Sequence, residues 1–189
     1  LMNMILLLFL FLIMSATGLF GQGKPTELKT VNSVNIERYL GRWYEIAKYP
    51  NRFQKSCVGN TTADYVLKSN GRIEVTNQCT KKDGKINRGV GEAKVVDKRT
   101  NAKLRVRFAP RFLSFLPFIW GDYWIVELAE DYSYSVVAEP GRDYFWILAR
   151  KPEIDDKTYQ AILRRAEAMG FKPSRVERTP QNTVGETAK

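Results

Sequence analysis

Few side chains in this sequence are placed to do covalent, acid–base or metal chemistry. Cys57 and Cys79 are the two cysteines. In an oxidising compartment such a pair is most simply one disulfide. It would close a loop of about 20 residues and contribute roughly 3 kcal/mol through chain entropy. Two free thiols are the alternative. The chain has no histidine, which removes Ser-His-Asp and Cys-His pairs and histidine metal sites. An enzyme here would need carboxylate, lysine or tyrosine chemistry. No paired acids stand in a suggestive setting, and no glycine loop is shaped to cradle phosphate. We therefore expect no catalytic residues, no metal and no cofactor. Binding chemistry remains, carried by aromatic side chains (12% of residues) and a net charge of +10.

That charge favours anionic partners: phospholipid head groups, nucleic acid or acidic proteins. The basic residues are scattered along strand-like segments, and no nucleic-acid motif accompanies them. A membrane surface is the better-suited partner, and solubility alone is the plain alternative. Export is suggested by Leu1–Phe20, where LMNMILLLFLFLIM is apolar and uncharged, then SATG and polar GQGKPTE follow. The run is too short to span a bilayer comfortably and reads as a secretory signal over residues 1–23. An uncleaved anchor is the rival. No cysteine stands in it, so a lipidated-cysteine anchor is not expected. The expected location is periplasmic, outer-membrane associated or secreted. The folded domain is expected over 24–181, with a frayed tail at 182–189.

These groups must be positioned by strands. After Lys24 the pattern has period two, with turn signals at about eight- to twelve-residue spacing. Gly41–Pro50 is the first strand. Thr61–Lys68 places Ala63, Tyr65 and Leu67 on one face. Arg72–Cys79 places Ile73, Val75, Asn77 and Cys79 together. Ile86–Val96 aligns Gly89, Gly91 and Ala93, suiting a bend at a barrel corner. Lys103–Phe108 turns Leu104, Val106 and Phe108 inward and Lys103, Arg105 and Arg107 outward. Gly121–Ala129, read with Glu127 in solvent, turns Trp124, Val126 and Leu128 inward. Tyr134–Pro140 and Tyr144–Arg150 complete eight strands, the last with Tyr144, Trp146 and Leu148 in phase. The spacing of Tyr159, Ile162, Leu163, Ala166 and Met169 is helical, with Asp155 or Asp156 at the start and Gly170 at the end. The fold class is all-β: an eight-stranded antiparallel up-and-down barrel with one C-terminal α-helix packed outside. Such a barrel has room for side chains or one small ligand. The small residues Gly89, Gly91, Ala93 and Ala138 argue for space.

Three motifs then stand in order: Gly41-Arg42-Trp43-Tyr44-Glu45-Ile46, Glu130-Asp131-Tyr132, and Trp146-Ile147-Leu148-Ala149-Arg150. With them the chain resembles the lipocalins, in particular the bacterial outer-membrane type and apolipoprotein D. Glutamate stands where the second motif usually has threonine. The resemblance implies that Trp43 plugs the closed end of the barrel with Arg150 across its ring, and that Gly41, Asp131 and Tyr132 are structural. It implies a small hydrophobic ligand, a fatty acid or lysophospholipid, and a role in lipid storage, transport and membrane maintenance. Pocket positions carried over are Tyr65, Asn77, Phe108 and Trp146; parity adds Val75, Val106, Trp124, Val136 and Leu148. Some members of the wider family use a cavity cysteine as a nucleophile, and Cys79 has inward parity. The stretch PRFLSFLPFIWG (Pro110–Gly121) carries Phe112, Phe115, Phe118 and Trp120 at what should be the open end. It reads as a membrane-touching or lid-forming loop, or as a self-association patch in a monomer or weak dimer.

Overall fold

Alternation sets the architecture, as the segment from Lys103 to Arg107 illustrates: Leu104 joins the buried interior while Lys103 and Arg105 lie on the outer face. In this computed structural model, residues 27–109, 111–113 and 115–181 are described. The expected leader (1–23) and tail (182–189) lie outside the described residues. The strands are β1 (Gly41–Lys48), β2 (Cys57–Leu67), β3 (Ile73–Lys81), β4 (Ile86–Val95), β5 (Lys103–Arg107), β6 (Gly121–Leu128), β7 (Tyr134–Ala138), β8 (Phe145–Ala149) and β9 (Glu177–Arg178). Strands β1 to β8 pair antiparallel in chain order, and β8 pairs with β1 to close the barrel. Closure removes the exposed edges of an open sheet. Among the described residues strand β9 pairs only with β1.

Two helices finish the fold. The short α1 (Ile36–Tyr39) precedes β1, and the Asn35 side chain accepts from the Arg38 N–H at its start. The longer α2 (Asp156–Ala168) is capped by Asp155, whose Oδ1 accepts from the Thr158 N–H at 2.9 Å. Its buried residues Tyr159, Ile162 and Ala166 repeat at helical spacing. They pack on the outer face of the barrel against Ile46, Val136, Phe145 and Ile147. Burying a side chain such as Phe145 stabilises by roughly 1.5–3 kcal/mol.

A second core fills the barrel interior, with Trp43, Tyr65, Val75, Leu104, Ile125, Val137 and Leu148. Its membership corrects three expectations. Trp124, Val126 and Val136 do not face inward; all three belong to the layer under α2. Instead Tyr123, Ile125 and Val137 point in. For β6 the reason is a bulge between Ile125 and Glu127 in the β6–β7 pairing, whereas β7 alternates regularly with Val137 inward and Val136 and Ala138 outward. The extra residue lets Trp124 and Glu127 both lie outside, so a single parity cannot describe β6.

The wall is also incomplete in one place. Strands β1 and β2 pair only from Gly41 to Tyr44 against Thr62 to Tyr65. Beyond that they separate, and the C-terminal segment fills the gap. Thr179 N–H donates to Ile46 O at 2.9 Å, Asn60 N–H to Pro180 O at 2.8 Å, and Gln181 Nε2 to Glu45 O and Thr61 O at 2.8 and 2.9 Å.

Candidate ligand-binding cup

At one end the barrel is sealed. Trp43 is fully buried, and its Nε1 donates to Tyr39 O at 2.8 Å. The Arg150 guanidinium lies 3.8 Å from the indole centroid. It donates to Arg42 O at 2.9 Å and Arg38 O at 2.6 Å, so the cation both stacks and satisfies main-chain carbonyls. Gly41, at φ +89°, leaves room beside Arg150. The second motif joins here. The Tyr132 hydroxyl accepts from Asn35 N–H at 2.8 Å, Arg38 sits 4.0 Å over its ring, and Asp131 Oδ1 accepts from Ser133 N–H at 2.9 Å. The three motifs, distant in sequence, form one plug.

Above the plug the barrel is filled. A chain of hydroxyls runs from Tyr65 to Tyr123 (2.9 Å), to Tyr39 (2.9 Å) and to Ser135 (3.0 Å). Burial pushes the Tyr39 phenol up to about 12 and raises those of Tyr65 and Tyr123 as well, so this layer stays neutral. A small gap among Tyr65, Val75, Ala93, Leu104, Val106 and Tyr123 has about 10 Å³ of free space, around the lower limit for a single water. Tyr65, Val75, Val106 and Leu148 face inward as expected, but in this filled half.

The other half is open. Asn77, on the inward face of β3, is exposed, and Trp146 on β8 is half-buried. Phe108 is 47% exposed. Its ring lies over β4, where a Cβ on Gly91 would come within 2.7 Å of it. Glycine there is thus required by close approach. Across the mouth, Tyr144 and Trp146 stack at 5.8 Å and 8°, and Phe53 from the β1–β2 loop extends the row at 5.7 Å from Tyr144. Trp146 Nε1 donates to Gln54 Oε1 at 3.2 Å. Gln54 Nε2 in turn donates to Glu45 Oε2, and Thr179 Oγ1 donates to Glu45 Oε1 at 2.6 Å. Lys48 Nζ is 3.8 Å from Glu45. Burial raises the Glu45 pKa above the usual carboxylate range.

Cys57 and Cys79 form a disulfide that ties β2 to β3 at this end. Neither cysteine is free, so Cys79 has no thiol to act as a nucleophile. Among the described residues no cluster of potential metal ligands is present.

Sequence reasoning missed Glu45, Lys48, Gln54, Tyr39 and Tyr123. Glu45 and Lys48 share the inner face only because a bulge between Glu45 and Ala47 shifts the register against β8. No period-two reading could align them. Tyr39 enters from α1, whose single turn is too short to give a periodic signal. Only the conspicuous number of tyrosines hinted at a hydroxyl layer.

The rim loop divides in two. Phe112, Phe115 and Phe118 are 74%, 77% and 79% exposed. Trp120 is a correction: it is buried, and it packs outside the barrel instead of joining the exposed tip. Lys94, Arg107 and Arg72 stand 4.3, 5.2 and 5.7 Å from its ring centroid. It precedes Gly121, which pairs with inward Val106, so it falls on the outer face, where these cations attract its π-system.

A family model described as a lipocalin-like domain matches residues 34–181. The chain belongs to the lipocalin family. It is 39% identical over 158 residues to temperature-induced lipocalin-1 of Arabidopsis thaliana, covering 82% of this chain and 84% of that one. It is 36% identical over 152 residues to outer membrane lipoprotein Blc of Escherichia coli K12, covering 80% and 81%. In structure it is similar to insecticyanin from the tobacco hornworm Manduca sexta, with a TM-score of 0.66 at 16% identity, covering 86% of this chain and 88% of that one. That last likeness shows the lipocalin barrel alone. Lipocalins bind small hydrophobic ligands, and as a family they are carriers.

Proposed function

We propose that this lipocalin carries a single-chain lipid, a fatty acid or lysophospholipid, with its chain in the open half of the barrel. Its role is lipid storage, transport and membrane maintenance, without catalysis, after export to a periplasmic, outer-membrane or secreted location. The observation that carries this reading is the difference in filling: bulky buried side chains stop at the tyrosine layer, and above it the inward faces of β3, β4 and β8 stay open. Asn77, Phe108 and Trp146 are the ligand contacts. Tyr65, Val75, Val106 and Leu148 support them from below. The exposed phenylalanines of the rim, with the basic surface, bring the mouth to a membrane for loading. Similarity to an outer membrane lipoprotein supports work near a membrane.

The test is native mass spectrometry of the exported protein, followed by titration with fatty acids and lysophospholipids. A stoichiometric lipid and saturable tryptophan quenching, lost in Trp146→Ala, are expected. An empty barrel that binds neither class would sink the reading. A second reading rests on the same exposed rim, in which residues 110–121 pair with another copy or a membrane complex. Sedimentation in which Phe115→Ser/Phe118→Ser changes the molecular mass, while lipid binding persists, would favour it.

A further inference from the structure

The inner surface of the open half holds one feature that a purely apolar ligand would not use. Lys48 pairs with Trp146 across β1 and β8, and so shares the inward face. Its side chain is only 14% exposed. The nearest carboxylate oxygen, Glu45 Oε1, is 3.8 Å from Nζ, an ion-pair separation too long for a hydrogen bond. Both Glu45 oxygens already accept, from Gln54 and Thr179. Among the described residues Lys48 makes no hydrogen bond through its ammonium. The ammonium nitrogen is not among the fully buried polar atoms, so an incoming acceptor can reach it while the stem packs against the wall. Among the described strand residues in phase with the inner face, the other cation is Lys81, at the rim, where it pairs with Asp83.

We infer that Lys48 is the receptor for the anionic headgroup of the carried lipid, a carboxylate or phosphate, with Trp146 alongside the first segment of its chain. The inference rests on the carrier reading and adds the ligand's charge to it. An incoming oxygen supplies the acceptor that Glu45 does not, and the low-dielectric wall strengthens the contact. Glu45, held by Gln54 and Thr179, is a like charge to the ligand. It weakens the attraction and keeps the bound lipid exchangeable. A neutral lipid of equal chain length gains nothing from this corner.

The experiment is calorimetric titration of the full exported protein with laurate, lysophosphatidylglycerol and the neutral dodecanol, using wild type, K48M, K48R and the surface control K85M. The expected result is that wild type prefers an anionic lipid over dodecanol by about tenfold or more, the scale of one charge-assisted hydrogen bond. K48M should erase that preference while still binding dodecanol. K48R and K85M should keep it. A preference confined to laurate or to lysophosphatidylglycerol identifies the headgroup as carboxylate or phosphate. Unchanged preference in K48M, or none in wild type, overturns the inference and leaves the carrier reading standing. If wild type binds none of the three, the carrier reading itself falls. If K48M loses dodecanol as well, K48Q replaces it and the same ratio decides. Removing the competing charge in E45Q should tighten laurate and leave dodecanol unchanged.

Discussion

The two tryptophans inside the barrel mark its two ends, and they are held in different ways. Trp43 is fully buried, bonded to a main-chain carbonyl and covered by an arginine that is itself tied to two main-chain carbonyls. Trp146 is half-buried, bonded to a side-chain amide and stacked on Tyr144, which is itself partly exposed. Acceptors fixed in the backbone make a seal. An acceptor on a side chain leaves the second ring held by a partner that is not part of the main chain. One barrel thus has a buried, backbone-bonded floor and a half-exposed mouth, using the same residue type for both.

The largest expected effect tests the floor. Trp43→Ala should lower stability by about 3–5 kcal/mol, as for a large buried aromatic, measured by urea denaturation. Trp146→Ala should cost well under half of that, because its ring already meets solvent. Equal losses would break the comparison. Next comes the disulfide near the mouth. Cys57 and Cys79 are 22 residues apart, and replacing both with serine should cost roughly 3 kcal/mol in the chain-entropy model. The Trp43 plug lies at the opposite end, so near-ultraviolet dichroism of the native variant should keep the signal of that ring. Loss of that signal would show that the two ends are not independent.

The smallest effect is a pH dependence centred on Glu45. Its folded pKa is raised by burial, so the folded protein holds this proton to higher pH than the unfolded chain does. Ionisation therefore costs stability. The stability of wild type relative to E45Q should be greatest below the unfolded glutamate value of about 4.3. It should fall as pH rises through the displaced folded value and then level off. A difference that grew with pH would mean that the Lys48 attraction outweighs desolvation.

Much of this was legible beforehand. The strand alternation of Leu104/Val106 and of Ile73/Val75/Asn77, and the helical spacing of Tyr159, Ile162 and Ala166, fixed the barrel and its outer helix. The motif residues predicted the Trp43–Arg150 pair. The errors cluster where alternation breaks. Trp124 and Val126 were turned inward by a parity that the bulge in β6 interrupts, and Val136 by reading regular β7 one residue out of phase. Trp120 was read with its exposed neighbours, although Lys94 of β4 and Arg72 just before β3 stand against its ring.

The sequence by itself determined the strands and the helix, because those follow from the local period of apolar residues, and the sealed end followed from the resemblance of its motifs to the lipocalins. Only the tertiary structure decided how deep the space runs and what lines it. Tyr39, Tyr65, Tyr123 and Ser135 meet across four elements to set the layer above the plug, and a bulge of a single residue brings Lys48 beside Glu45. Depth and charge depend on which side chains from distant strands arrive at one height. That is set by register, to which a period-two pattern is blind once a bulge intervenes.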